Sequence, residues 1–376
     1  MRLQGALQGF AMTASNGHTF AHGLPFALPD RPRVTRIREA DTAWLRAPKG
    51  ERTQPMRGFE PTYSDIVDYI VRITEEIWPD RGIGRIYDTY DHACTIYSQY
   101  GVVRSVEDVI ASTAATLVGF PDGQLQHLNV AWTGDEDAGF YTSHLGFSRS
   151  TNLGLSAYGP ATGRQVAIHF AADCISWQNM IHTEWLVRDN GALVRQLGLE
   201  PQAVAQRLAQ VPTAEIQIVS PPTRLLGQGP RPALVCDTGT VEGWTQVMFD
   251  QIWNQRRLDR LASFYAPDAV MHSSSGRTAT GLRNISNLIL AVIASAPDCS
   301  VRVDHVSWSL ETDGVIVAAR WRLEGTSRPG GALGDCPPGR SLAMMGISHM
   351  RFAGDRIIEE WTVFDEVGVL TGIYRQ

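Results

Sequence analysis

Residues 182–189 read HTEWLVRD and residues 358–365 read IEEWTVFD. Each is a short strand-like run with a Trp near its middle and an Asp at its end. Trp185 and Trp361 are 176 residues apart, and so are Asp189 and Asp365. Gly163-Arg164 and Gly339-Arg340 keep that offset, so 163–189 and 339–365 align without a gap, with eight identities in 27 positions. Trp132 and Trp308 continue it, whereas Ile77-Trp78 and Ile252-Trp253 lie 175 apart, which places one indel between them. A repeat this long is a duplicated domain and not a solenoid unit.

The copies share an order of elements. In the first, Ser64 is placed to cap a helix whose Ile66, Ile70, Ile73 and Ile77 step by four, three and four. Ser105 with Asp108 forms a capping-box pattern opening a helix through Val118. The second copy answers with VEGWTQVMFDQIWN and GLRNISNLILAVIASA. Strand-like stretches follow at 125–132, 139–149, 164–175 and 180–189, then again at 301–308, 314–325, 340–352 and 356–365. Helices followed by an antiparallel meander predict an α+β fold, with helices on one side of a curved sheet, written twice. The expected division is an N-terminal extension at 1–61, a first domain at 62–199, a Pro/Gly-rich linker at 200–240 and a second domain at 241–376. The extension reads either as a loose segment or as an arm strapped over both domains. Its His18 and His22, at i,i+4 spacing, read as solvated side chains.

With 376 residues, 43% apolar and 19% charged, the chain has ordinary globular composition. Its net charge of −6 and the lack of a long Lys/Arg run argue against nucleic acid or an anionic membrane as partner. Cys94, Cys174, Cys236, Cys299 and Cys336 are odd in number and form no C-x-x-C pair, which argues against disulfides and structural zinc and for a reducing cytoplasm. No run reads as a signal peptide or a membrane span. No histidine–acid spacing reads as a metal site, and no G-x-G-x-x-G or redox Cys pair supports an oxidoreductase, so no cofactor or metal is expected.

Strand alternation places Ile181, Thr183, Trp185, Val187 and Asp189 on one side. Their expected neighbours on the preceding strand are Val166, Ile168, Phe170, Ala172 and Cys174, because mispairing would expose a core face. The second copy sets Ile357, Glu359, Trp361, Val363 and Asp365 against Leu342, Met344, Gly346, Ser348 and Met350. A carboxylate ending an apolar wall has two readings. One is a cap on a turn past the strand end. The other is a pocket-mouth acid, its pKa raised by desolvation into the range a general acid/base needs. His169 and Asp173 fall on the opposite face and lie too far apart along the strand for a dyad.

The stretches PATGR…IHTEWLVRD and PPGRSLAMMGISHMRFAGDRIIEEWTVFDEVGVL resemble the closing hairpin of the SnoaL-like polyketide cyclases, members of the cone-shaped α+β superfamily that includes ketosteroid isomerase and nuclear transport factor two. The resemblance covers about 62–199 and 241–376 and implies two tandem cone-shaped α+β barrels. It also implies that the Asp of E-W-x-x-x-D, here Asp189 and Asp365, is the acid/base of a cofactor-free aldol closure. Relatives point a histidine into the cone where this chain has His272, with Tyr97 in the first copy, and keep an Arg at the place of Arg320, which the 176 offset sets against His144. His127, on the strand before, completes the catalytic candidates, and Trp185, Tyr141, Phe170 and Trp361 are the candidate substrate-binding walls. The histidines and tyrosines of the first copy favour it as the active one.

The expected function is therefore a cofactor-free lyase, cyclase or isomerase acting on a hydrophobic, aromatic small molecule. Aldol closure, dehydration, double-bond migration and retro-aldol loss of formaldehyde from a diaryl compound all use such a site. A ligand carrier or a protein-interaction scaffold is the alternative from another class. The two domains are expected to satisfy a back-to-back interface internally, and further homo-oligomerisation stays open. Met345, Ile347 and Phe364 form the apolar back face that needs such a cover.

Overall fold

The computed structural model of the protein describes residues 18–19, 23–29, 37–212, 227–311 and 314–376. His22 and residues 213–226 of the expected linker lie outside the described residues. The main helices are α1 (Ile66–Ile77), α2 (Val106–Gly119), α3 (Asn190–Gln196), α4 (Pro201–Ala209), α5 (Val241–Phe249), α6 (Leu282–Ser295) and α7 (Glu366–Arg375). The main strands are β1 (Tyr90–Ser98), β2 (Gly101–Arg104), β3 (Gln124–Asp135), β4 (Gly139–Thr151), β5 (Gln165–Trp177) and β6 (Met180–Arg188), then β7 (Tyr265–Ser273), β8 (Arg277–Thr280), β9 (Ser300–Glu311), β10 (Gly314–Thr326), β11 (Ser341–Ala353) and β12 (Arg356–Phe364).

Local chemistry sets the helix starts. The Asp65 carboxylate caps α1 by accepting from Asp68 N at 2.9 Å, one residue past the expected Ser64. Ile66, Ile70, Ile73 and Ile77 form its buried stripe. Ser105 Oγ accepts from Asp108 N at the start of α2, and Thr240 Oγ1 from Gly243 N at the start of α5. The chain leaves α5 through a π-helical turn, Asp250–Asn254.

The strands make one twelve-stranded sheet in the order β8-β7-β12-β11-β10-β9-β3-β4-β5-β6-β1-β2. Each half repeats the other in mirror order, so the fold is α+β with one continuous sheet in place of two separate ones. The halves meet edge to edge at a single bridge, Trp132 on β3 to Trp308 on β9, the two tryptophans that share the 176 offset. Four strands, β1, β2, β7 and β8, were not expected. β1 runs parallel to β6 and β7 parallel to β12, so each half is a mixed sheet.

The register corrects two expectations. β4 and β10 begin at Gly139 and Gly314, an offset of 175, so the structural partner of His144 is Ala319, and that of Arg320 is Leu145. A one-residue slip turns a side chain to the other face of the sheet. His144 and Arg320 therefore face opposite ways. In addition, Trp185 lies opposite Asp173 and Val187 opposite Ala171, while Trp361 lies opposite His349 and Val363 opposite Ile347. Directly opposed residues share a face, so the expected pairing of Trp185 with the Phe170/Ala172/Cys174 face is wrong, as is its counterpart with Met344 and Ser348.

Those Trp faces are where the halves pack together. Leu145, Ala171 and Val187 of the first half form one buried cluster with Met345, Ile347, Trp361 and Val363 of the second. Phe364, expected beside Met345 and Ile347, belongs instead to the interior of its own half. A buried polar layer adjoins the cluster. Asn129 donates to Ser309 Oγ at 2.8 Å and to Glu311 Oε1 at 3.0 Å, and its oxygen lies 3.1 Å from His349 Nδ1, while His349 Nε2 lies 3.0 Å from Ser143 Oγ. The described part of the N-terminal extension is strapped over both halves. Phe26 packs edge-on against Trp244 and Phe352 of the second, and Ile37, Met56 and Phe59 enter the core of the first.

Candidate functional site

The terminal aspartates cap helices. Asp189 precedes α3 and accepts from Ala192 N at 2.9 Å, and it also accepts from Ser275 N at 2.6 Å and Gly276 N at 3.1 Å on the β7–β8 turn of the other half. Asp365 precedes α7 and accepts from Gly368 N at 2.9 Å, from the Asn190 amide, and from Tyr100 OH at 3.4 Å on the β1–β2 turn of the first half. Both are buried. Burial raises both carboxyls, that of Asp365 to about 7, against the hydrogen bonds that favour ionisation. Each repeated Asp thus ties the helix that follows its strand to the opposite half's hairpin. The capping reading describes their geometry.

Tyr97, His272, Arg320, Tyr141, Trp185 and Trp361 lie on the faces between the halves. Tyr97 stacks on Trp185 and His272 on Trp361, both at 5.6 Å between ring centroids. His272 Nε2 lies 3.2 Å from Glu359, so this histidine points out of the interior where the resemblance placed it. Tyr141 OH donates to Asp173, Arg320 Nε donates to Tyr141 OH at 3.1 Å, and the Arg320 guanidinium lies 3.8 Å from the centroid of Trp185. Burial pushes Asp173 up to about 6.

His127 and His144 do meet, inside the first half. His127 Nε2 lies 2.8 Å from Glu75 Oε1 on α1, and its Nδ1 lies 2.9 Å from His144 Nε2. The two rings stack, and His144 meets the edge of Phe170 at 5.5 Å. Burial, and then the neighbouring His127 and His349, hold His144 far below its ordinary value and therefore neutral.

The interior of the second half holds a carboxylate that the opening reading passed over. Glu360, next to Trp361 and so on the other face of β12, is 4% exposed. Tyr265 OH donates to its Oε2 at 2.6 Å, and Thr362 OH donates to its Oε1. Thr362 Oγ1 lies 2.8 Å from Ser348 Oγ, which in turn accepts from Trp321 Nε1 at 3.0 Å. The result is a chain of donors running from an indole through two hydroxyls to a buried acid. Burial raises the Glu360 carboxyl against these bonds, and it raises the Tyr265 phenol well above its usual value. The first half repeats only the pair: Tyr90 OH donates to Glu184 Oε2 at 2.9 Å. The signal was present. Glu184 and Glu360 are among the eight identities, each an acid on a buried strand face.

Met248, Phe249, Leu288, Ile289, Met344 and Phe364 wall the Glu360 cavity, which retains about 30 Å³ of open space. A larger cleft of about 430 Å³ opens elsewhere, at the junction of the halves. Size favours the cleft as a ligand site. Of the two, it is the smaller cavity that brings together a buried acid, a phenol and apolar walls, the parts that proton transfer requires. Among the described residues no group of three or more His, Cys, Asp and Glu side chains is arranged to hold a metal ion. Nor is any described helix long and apolar enough to cross a membrane.

No curated protein sequence matches the chain. Among solved structures it is similar to a putative SnoaL-like polyketide cyclase from Jannaschia sp. CCS1, at 22% identity over 40% of this chain and 99% of that one, with a TM-score of 0.32. It is also similar to IdmH, a putative polyketide cyclase from Streptomyces antibioticus, at 25% identity over 33% and 91% of the two chains, with a TM-score of 0.28. AclR, a putative hydroxylase from Streptomyces galilaeus, matches at 20% identity over 34% and 81%, with a TM-score of 0.29. TM-scores this low do not bear on fold or chemistry. Residues 245–373 match the family model of the SnoaL-like polyketide cyclases. That segment contains Tyr265, Trp321, Ser348, Glu360 and Thr362, so the half of the chain that is similar to these cyclases is the half that holds the hydroxyl-linked acid.

Proposed function

We propose that the second half is a cofactor-free acid/base enzyme, a cyclase, isomerase or lyase, acting on a hydrophobic aromatic molecule with an acidic C–H beside a carbonyl. The observation that carries this reading is the Tyr265–Glu360 pair inside an apolar cavity. Ionised Glu360 takes the α-proton, helped by the Thr362 and Tyr265 donors that make it ionisable at all. As it becomes neutral its hold on the phenol weakens, and Tyr265, which burial keeps protonated, turns its O–H to the enolate oxygen. Ring-closing aldol, double-bond migration, dehydration and retro-aldol loss of an aldehyde all pass through that enolate. Trp253 and Leu288, both half-buried, line this cavity, and a guest larger than the 30 Å³ now open requires them to move.

Each half, 62–199 and 241–376, reads as one cone-shaped domain, and their packed Trp faces support an internal pseudo-dimer. Five thiols, none in a disulfide, support a cytoplasmic protein. The test is α-proton exchange of an enolisable bicyclic ketone, 2-tetralone, in deuterated water, followed by proton NMR. The protein should accelerate exchange, Glu360→Gln should lower the rate by about a hundredfold or more, and Tyr265→Phe by about tenfold. Binding of the ketone with no exchange above buffer would refute the enzyme and leave the carrier.

A further inference from the structure

The cleft between the halves is a site of another kind. The backbones of β3 and β9 pair at the Trp132–Trp308 bridge, and beside it lies a cleft of about 430 Å³, within the range of about 300–1,000 Å³ typical of small-molecule pockets. Trp132 and Thr133 line it from the first half, Trp308 and His305 from the second, and Glu242 and Gln246 from α5. The walls are aromatic and held in place. His305 stacks on Tyr141 with centroids 3.4 Å apart, and its Nε2 lies 3.2 Å from Thr133 Oγ1. Burial lowers this imidazole to about 4, so it adds no charge near neutral pH.

Two carboxylates line the cleft, and they differ. Asp304 is matched by Arg302, Arg320 and Arg322, at 3.1, 3.6 and 2.8 Å. Glu242, half-buried, has no hydrogen-bond or ion-pair partner among the described residues. A cation beside an unmatched carboxylate and indole faces gains both Coulomb and cation–π energy.

We propose that this cleft is a second ligand site, separate from the Glu360 cavity, which takes a flat aromatic amine with its ring against Trp132 and Trp308 and its ammonium at Glu242. The proposal does not depend on the chemistry assigned to Glu360. Isothermal titration of the full chain with tryptamine at pH 7.5, and with its neutral analogue tryptophol, tests it. Tryptamine should bind saturably at one site and tryptophol about tenfold more weakly, and Glu242→Gln should bring tryptamine down to the tryptophol level. Trp308→Ala should weaken both ligands by about tenfold. Glu242 lies outside the strand junction, so Glu242→Gln keeps the test valid if loss of Trp308 unfolds the bridge. Glu360→Gln should leave both affinities unchanged. The proposal is overturned by absence of saturable heat up to about 5 mM, by equal binding of the two ligands, by tryptamine binding that Glu242→Gln does not alter, or by loss of binding in Glu360→Gln.

Discussion

Asp365→Asn should make the protein more stable at pH 8. Asp365 is 3% exposed, with one oxygen on Gly368 N and the other on the Asn190 amide. Burial lifts its pKa from 3.8 to about 7, and the nearby Asp189 carboxylate adds to the rise. The sign follows from linkage. A carboxyl whose pKa is higher folded than unfolded stabilises fully below the unfolded value, and that contribution is lost as pH climbs through the folded one. The window is therefore about pH 4 to 7. A rise of about three pKa units at 1.36 kcal/mol each is a penalty on the order of 4 kcal/mol on the ionised state above pH 7. Asparagine carries no such penalty and caps a helix about as well as aspartate, though it forgoes about 0.3–1 kcal/mol of charge–dipole attraction. Asn190 must turn its amide so that its oxygen meets the new donor. The net expectation is a gain of roughly 2–3 kcal/mol at pH 8 that closes by pH 4. Urea unfolding of both proteins across that range reads it. The difference between them isolates Asp365, because His305 and His349, lowered to about 4 and about 3, contribute equally to both. If the variant is weaker than the wild type at pH 8, or the gap does not change with pH, the buried-acid account of this cap is wrong. Exchange of 2-tetralone should stay within a few-fold of wild type, since the cap is not the proposed base.

Gly346→Ala should damage the Glu360 site from beneath, because a Cβ at Gly346 would sit 2.1 Å from Cζ2 of Trp321. Moving the indole costs about 1–3 kcal/mol of overpacking and breaks its bond to Ser348, so urea midpoint and ketone exchange should both fall, and the near-UV dichroism should change. His144→Leu tests the histidine pair of the first half. A histidine held neutral in the fold contributes stability that is complete above its ordinary value of 6.5 and is lost as pH falls toward the much lower folded value. The variant should lose about 1–3 kcal/mol at pH 8, where His127 is left without its partner, and should show a shallower acid limb below pH 6.5 in urea unfolding than the wild type.

The matching element order of the two halves, the eight meander strands and the start of α2 were legible because each rests on a local signal: an offset, an alternation, a capping side chain. The faces were not. Alternation separates a strand into two sets but says which points inward only when one set is exposed to water. In β12 neither is. Trp361 and Val363 pack on the other half, while Glu360, Thr362 and Phe364 line the interior. The more apolar set was assigned to the pocket, and it lies at the interface. The acid was thus sought at Asp365, at the end of that set, whereas Glu360 lies on the opposite face. The His144–Arg320 equivalence failed for a related reason, since the shorter second hairpin shifts the count by one and exchanges the faces. β1 and β7 escaped because their partners, β6 and β12, lie about ninety residues away and run parallel.

The two interiors diverge through one exchange that packing makes intelligible. Gly146 on β4 lies opposite Phe170 on β5, and a Cβ at Gly146 would sit 2.3 Å from that ring. The corresponding pair in the second half is Trp321 on β10 opposite Gly346 on β11. Each half thus fills one space with one aromatic ring over one glycine, but the ring comes from neighbouring strands. The volume is conserved, while the chemistry is not. An indole on β10 brings an N–H donor to Ser348, and through Thr362 that polar chain reaches Glu360. A phenyl on β5 offers no donor, and Ala172 and Leu186 stand where the second half has Ser348 and Thr362, so Glu184 keeps only its tyrosine. A buried acid supported by one bond has less to offset its desolvation than one supported by two. The hydroxyl-linked acid therefore belongs to the second half for a structural reason, and the Phe170 ring of the first half rests against His144, which burial holds neutral.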